Sequence, residues 1–203
     1  MYFQYTEQEL AFLKEKDEKL KAVIEEIGYI KRPIIPDLFT ALISSILSQQ
    51  ISSQAFNTIW NRFLELSKPI TAENILKLKV EEIQKIGTSF RKAQYIYELA
   101  LKIKNKELNL ETLNSLSDQE IIQELTKIKG IGKWTAQMLL IFSMQRKNVI
   151  SYDDLAIIRG LKIIYKKDFI SKIEFNEITS RFSPYNSIAS LYIWAVASKK
   201  QLK

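Results

Sequence analysis

Apolar residues recur along this chain at the three- and four-residue spacing of amphipathic helices, and no stretch alternates apolar and polar with hairpin turns in the manner of strands. From Glu7 to Ile27 the apolar positions Leu10, Phe12, Leu13, Leu20, Val23, Ile24 and Ile27 form one stripe, and the spacing predicts a single helix stopped by Gly28. Pro33 and Pro36 mark a loop, after which Asp37 caps a strongly apolar helix from Leu38 to about Gln50. Further helices are expected at 53–66, 71–78, 80–86 and 91–104, with Gly87-Thr88-Ser89 as a turn. Ser117-Asp118-Gln119-Glu120 has the form of a capping box and opens a helix to about Ile128. Segments 134–144, 154–165, 171–181 and 186–199 complete an all-α pattern without an internal repeat.

Composition narrows the chemistry. Thirty Lys and Arg against 23 Asp and Glu give a charge of +7, which favours a polyanionic partner such as nucleic acid or an anionic membrane surface. There is no cysteine, which removes disulfides, thiol nucleophiles, Cys-type zinc sites and Fe–S clusters. There is no histidine either, so a His base, a Ser-His triad and a His-ligated metal are all excluded. Hydrolysis by this chain must rest on carboxylates, Lys or Tyr. The longest apolar run, Met138 to Phe142, falls far short of the roughly 20 residues that span a bilayer, and the polar opening shows no signal-peptide pattern. A soluble cytoplasmic protein without a membrane partner is expected, and the Lys-, Ile- and Asn-rich usage suggests a bacterial source.

Two segments carry candidate chemistry. In Lys129-Gly130-Ile131-Gly132-Lys133-Trp134-Thr135-Ala136, two glycines flank one apolar residue, permitting a tight hairpin between helices, with Ile131 anchoring it in the core. Each glycine can adopt positive φ, and neither has a Cβ to block an approaching backbone. The amides of Gly132, Lys133 and the following first helical turn would then face outward as an anion site, reinforced by the helix dipole and Lys133. Taken alone, this is equally an ordinary glycine turn. The second segment is Ser151-Tyr152-Asp153-Asp154-Leu155, leading into a helix, where paired aspartates ordinarily serve as caps.

The segment Ile128–Ala136 resembles the helix-hairpin-helix motif of base-excision DNA glycosylases, and Gly-Ile-Gly-Lys-Trp-Thr-Ala is similar to the bacterial 3-methyladenine DNA glycosylase II branch. Other blocks follow in order: Ile46–Ser52 with its Gln49-Gln50 pair, Ile86–Ala93 with its Gly…Arg-Lys-Ala turn, and Arg181–Tyr185 leading to Trp194. The resemblance implies one glycosylase domain over 1–203, with two helical lobes, 37–115 and 1–36 plus 116–203, and a cleft for DNA and the target base between them. The family's catalytic aspartate falls on Asp154, leaving Asp153 as the cap or an electrostatic neighbour. Trp134, Trp194 and Met138 match base-pocket positions, and Gly130, Gly132, Lys133, Thr135 and Gln50 match DNA-contacting ones. Trp60 is assigned to the core. Gln50 is favoured over Ile51 as the wedge that replaces a flipped base. A cation held by hairpin main-chain carbonyls, as in relatives, would leave no side-chain signature; no cofactor is otherwise implied. The N-terminal α/β lobe of the best-known bacterial members has no counterpart before Asp37.

The implied reaction suits a chain without histidine. Loss of a base passes through an oxocarbenium-like sugar, which a nearby carboxylate stabilises while orienting water. An N3- or N7-alkylated purine is already cationic and leaves without the second carboxyl group that ordinary glycoside hydrolysis requires. Bifunctional relatives carry a Schiff-base lysine where this chain has Trp134, so base removal without strand cleavage is expected. The leading expectation is a monomeric alkylpurine-DNA glycosylase acting on 3-methyladenine and 7-methylguanine in duplex DNA. Two alternatives stand beside it: a glycosylase for a deaminated or oxidised base, and a non-catalytic module that binds damaged DNA.

Overall fold

The structure is a computed structural model that describes residues 1–199. Among them the chain forms α1 (Glu7–Lys16), α2 (Glu18–Ile27), α3 (Leu38–Ser48), α4 (Ser53–Ser67), α5 (Ala72–Leu76), α6 (Val80–Gln84) and α7 (Phe90–Lys104). A short 3-10 turn (Thr112–Ser115) precedes α8 (Asp118–Thr126), α9 (Lys133–Phe142), α10 (Leu155–Tyr165), α11 (Lys172–Ser180) and α12 (Asn186–Lys199). The described residues contain no strand, and the sole pairing of extended backbone is one antiparallel bridge between Tyr2 and Pro33. The all-α expectation holds. None of the described helices is long and apolar enough to cross a membrane.

Local side-chain chemistry explains most helix starts. Thr6, Ser117 and Ser171 each accept a bond from the amide three residues on, while Glu9, Glu120 and Glu174 reach back to the cap amides. Asp37, Ser52, Thr71 and Ser89 cap α3, α4, α5 and α7 in the simpler manner. The helix expected from Glu7 to Ile27 is broken at Asp17, which ends α1 in extended conformation and caps α2 by accepting from the Leu20 amide. The side chain also makes tertiary bonds: buried Asp17 Oδ2 takes the Tyr165 hydroxyl at 2.6 Å and pairs with the Arg181 guanidinium at 2.9 Å. Burial, and then the bond to Asp17, push the Tyr165 hydroxyl far above the ordinary tyrosine range.

The chain divides into two compact units: Met1–Ile34 with the chain from Leu140 onward, and Ile35–Leu139. Residues 116–139, placed with the terminal lobe by the sequence reading, thus belong with the central unit. In the central unit, α3 is strongly apolar, with Leu42, Ile43, Ile46 and Leu47 fully buried; α4 and α7 pack against it, α5 and α6 pack on α7, and Phe63, Ile75, Ile83 and Ile96 are buried on these four helices. Trp60 is half-buried in a stacked row with Phe56 and Phe63 rather than lying in the core.

In the terminal unit, α10 packs on α12 at unusually short range. A Cβ on Gly160 would stand 2.3 Å from the Ile193 carbonyl oxygen, so only glycine permits this crossing. The segment before α10 is pinned to the start of α12: the Ser187 hydroxyl donates to the Arg146 carbonyl at 2.6 Å and accepts from the Val149 amide at 2.9 Å. The chain leading into the Ser151–Leu155 segment is therefore tied to α12, and α10 beyond it meets α12 at the Gly160 crossing.

Candidate active site and DNA-binding hairpin

The hairpin is seated on α7 within the central unit. Gly130 has φ +88°, and a Cβ there would come within 2.7 Å of the Tyr95 ring, so backbone conformation and close approach both demand glycine. Ile131 is 4% exposed and anchors the turn as expected. Gly132 differs from Gly130: its φ is not positive, and a Cβ there would meet nothing within 4 Å. Nothing inside the protein requires glycine at this position. Gly132 and Lys133 are exposed, and the Gly132 carbonyl accepts the first bond of α9 from Ala136 at 2.9 Å. The amides of the first helical turn have no acceptor inside the helix, which makes this end suited to an anion. Trp134, at the start of α9, is 47% exposed, while Thr135 and Met138 are half-buried.

The turn between α3 and α4 is fastened to this hairpin. The Gln49 side-chain amide donates to the Gly130 carbonyl at 2.7 Å, and the Lys92 ammonium donates to the carbonyls of Leu47 and Gln49 at 2.9 and 2.5 Å. Desolvation lowers the Lys92 pKa from its ordinary value. Gln50 is exposed and held at φ +57°, an uncommon conformation for a residue with a Cβ.

The carboxylate site lies in the terminal unit. Asp154 is 6% exposed. Its Oδ1 accepts from the amides of Ala156 and Ile157 at 2.8 and 3.1 Å, and its Oδ2 accepts from Trp194 Nε1 at 3.2 Å. Asp154 itself is therefore the cap of α10, so of the two readings of exposed Asp153, cap or electrostatic neighbour, the structure removes the first. The two carboxylate oxygens thus face different partners, backbone amides of α10 on one side and the Trp194 indole on the other. The half-buried Trp194 indole leans on Phe142 at 5.5 Å between centroids, and the Arg32 guanidinium lies 5.0 Å from the other ring of that pair. Gly160 meets α12 at Ile193, the residue before Trp194, so the same close crossing sets where α12 holds the indole beside Asp154.

A family model for the HhH-GPD superfamily base excision DNA repair protein matches residues 43–184. The chain belongs to that superfamily. DNA-3-methyladenine glycosylase 1 of Schizosaccharomyces pombe is 35% identical over 77% of this chain and 71% of its own length. DNA-3-methyladenine glycosylase of Saccharomyces cerevisiae is 32% identical over 91% and 77% respectively. Among solved structures, a DNA-3-methyladenine glycosidase from Bacillus halodurans superposes with a TM-score of 0.88 at 30% identity, covering 100% of this chain and 95% of that one. The S. pombe glycosylase Mag1, solved in complex with abasic DNA, superposes with a TM-score of 0.77 at 31% identity, covering 92% and 95%. The chain thus stands among N-glycosyl hydrolases of DNA base-excision repair.

Within this superfamily member the predicted residues fall into two sets. Gly130, Gly132, Lys133, Trp134, Thr135, Met138 and Gln50 belong to the central unit, and Asp154 and Trp194 to the terminal one. The hydrogen bond from Trp194 to Asp154 gives that indole a partner other than a base, which sequence matching alone did not show. Gln49 and Lys92 stood in matching sequence blocks without an assigned role, and Tyr95 and Gly160 were missed. Only Gly160 carried a local signal, since glycine inside a helix costs about 1 kcal/mol against alanine and calls for a packing reason. No group of three or more Asp or Glu side chains among the described residues is placed to hold a metal. The Gly130 carbonyl is taken by Gln49, so a hairpin cation would draw on other main-chain oxygens. A groove of about 580 Å³ lined by Asp17, Lys19, Tyr165, Glu174 and Arg181 lies at the far end of α10 from Asp154. That separation, roughly 16 Å along an 11-residue helix, removes it from the carboxylate chemistry.

Proposed function

We propose that this protein is a monofunctional DNA glycosylase. It hydrolyses the N-glycosidic bond of alkylated purines in duplex DNA, 3-methyladenine and then 7-methylguanine, and leaves an abasic site. The observation that carries the reading is the carboxylate of Asp154, buried yet held in a single orientation by two backbone amides and one indole N–H. A fixed negative charge of this kind stabilises an oxocarbenium-like sugar without reorganising during the reaction. The alkylated base is cationic and departs without a general acid, which accords with a chain lacking histidine and cysteine.

The hairpin supplies the handle on the DNA backbone. The open space at Gly132 and the exposed first turn of α9 suit close approach of a phosphate, and Lys133 adds a positive charge. The exposed indole of Trp134 offers a face for an electron-poor base, and the half-buried thioether of Met138 a soft apolar contact. Because Trp134 stands where a lyase needs lysine, the phosphodiester backbone stays intact. The protein acts as a monomer on damaged duplex DNA in the bacterial cytoplasm, with 1–203 as one catalytic domain and no required cofactor.

Release of free base from duplexes carrying 3-methyladenine, 7-methylguanine, uracil or 8-oxoguanine, followed chromatographically, tests this reading. Release from the methylated duplexes without strand scission is expected. Release of uracil or 8-oxoguanine alone would replace the alkylpurine assignment, and salt-sensitive binding without any release would leave only a DNA-binding module.

A further inference from the structure

The α3–α4 turn and the hairpin are joined by side-chain contacts from Gln49 and Lys92. Gln49 and Gln50 are adjacent, yet they do opposite things. Gln49 turns inward and spends its side-chain amide on the Gly130 carbonyl at 2.7 Å. Gln50, held at φ +57°, stays exposed. A left-handed glutamine is strained and persists only where surrounding contacts over-determine it. Those contacts are visible. Lys92 closes the end of α3 with two bonds to the Leu47 and Gln49 carbonyls, and Gln49 ties the same turn to the hairpin. Gly130 is itself fixed by its positive φ and by the Tyr95 ring beneath it, over which the Arg91 guanidinium lies at 5.6 Å. The hairpin, the first two turns of α7 and the α3–α4 turn thus form one braced assembly.

We infer that Gln49 is a positioning residue that couples the hairpin's hold on the DNA backbone to insertion of Gln50 into the duplex. This rests on the reading of the hairpin as a DNA handle and of Gln50 as the wedge. Movement of Gln50 relative to the hairpin would have to break the Gln49–Gly130 bond. With the bond intact, a phosphate seated at the hairpin sets where Gln50 enters the base stack. Without it, the hairpin still grips DNA, but the wedge is no longer held to it.

The test compares affinity for undamaged duplex, which needs the hairpin alone, with affinity for a duplex containing a tetrahydrofuran abasic-site analogue, which also accommodates an inserted side chain. Gln49→Met keeps the side-chain volume and removes the donor. It is expected to bind undamaged duplex within about twofold of native protein and to lose about three- to tenfold of the preference for the abasic analogue, the range of one net hydrogen bond. Gln50→Ala is expected to lose a comparable preference, and the double variant no more than the larger single effect, because both changes remove the same insertion. Lys92→Met supplies an independent variant that frees the same turn and should reproduce the selective loss. Preference for the abasic analogue unchanged in both Gln49→Met and Lys92→Met, or losses that add in the double variant, would overturn the coupling. The comparison needs no base release, so a protein inactive on methylated purines would refute the proposed reaction while leaving this outcome decisive.

Discussion

Replacing Gly160 by alanine sets two physical effects of opposite sign against each other. In an exposed helix interior the substitution gains up to about 1 kcal/mol from helix propensity. Here the new methyl would lie 2.3 Å from the Ile193 carbonyl oxygen and 2.6 Å from Ile193 Cγ2. Bringing the oxygen contact to even 3.0 Å requires α10 and α12 to part by about 0.7 Å, and overpacking of this kind costs about 1–3 kcal/mol. A net loss of about 1–2 kcal/mol is expected, and with it a fall in Tm of roughly 2–8 °C for a chain of this size. The same displacement, if directed along the Trp194–Asp154 bond, would stretch it from 3.2 Å to about 3.9 Å, beyond hydrogen-bonding range. Thermal unfolding reads the first effect, and the indole N–H resonance of Trp194, assigned with Trp194→Phe, reads the second. A Gly160→Ala protein as stable as native, with the Trp194 resonance unmoved, would refute both the packing role of Gly160 and its part in placing the indole.

The two hairpin glycines should separate fold from binding. Gly130→Ala meets the Tyr95 ring at a positive φ and is expected to destabilise the protein by about 1–3 kcal/mol in chemical unfolding. Gly132→Ala enters open space and should unfold as native does while weakening duplex binding at least severalfold in a fluorescence titration. Glu174, lowered to about 2 chiefly by its bond to Lys167 and then by the Ser171 amide and hydroxyl, holds stability that is complete above the ordinary carboxylate range and is lost as pH falls towards 2. Glu174→Gln should therefore flatten the acid limb of the Tm-against-pH curve between about 4.5 and 2. Borohydride treatment during turnover should trap no covalent protein–DNA adduct, because Trp134 occupies the lysine position of a lyase; a trapped adduct on a denaturing gel would contradict base removal without strand cleavage.

The parts of this fold that were legible in the sequence are those whose causes are local. The capping box of Ser117 and Glu120, the stop at Gly28 and the anchoring of Ile131 each depend on residues a few positions apart. The break at Asp17 was hard to read because an unbroken apolar stripe runs through it, and the partner of its carboxylate, Tyr165, lies 148 residues away. The Asp153-Asp154 pair offered two carboxylates and no means of telling which would point at the amides of α10. The structure assigns capping to Oδ1 of Asp154 and leaves Oδ2 to Trp194. Gln49 and Gln50 posed the same difficulty, since identical side chains on neighbouring positions diverge only once the turn has folded. The glycines were read as alike, whereas the fold demands Gly130 and leaves Gly132 with empty space beside it. That difference is itself informative, because a glycine unneeded by the fold is free to serve a ligand.

The most direct test of the central claim is the single-turnover rate of 3-methyladenine release by Asp154→Asn. Asparagine keeps Oδ1 for the Ala156 and Ile157 amides, so α10 stays capped, but it removes the charge and opposes its amide to Trp194 Nε1–H. A fold as stable as native to within a few degrees in Tm, duplex affinity unchanged to within about threefold, and a rate reduced at least 100-fold are predicted, on the scale of removing one preorganised electrostatic group. A variant releasing base within tenfold of the native rate would show that the Asp154 carboxylate does not carry the chemistry.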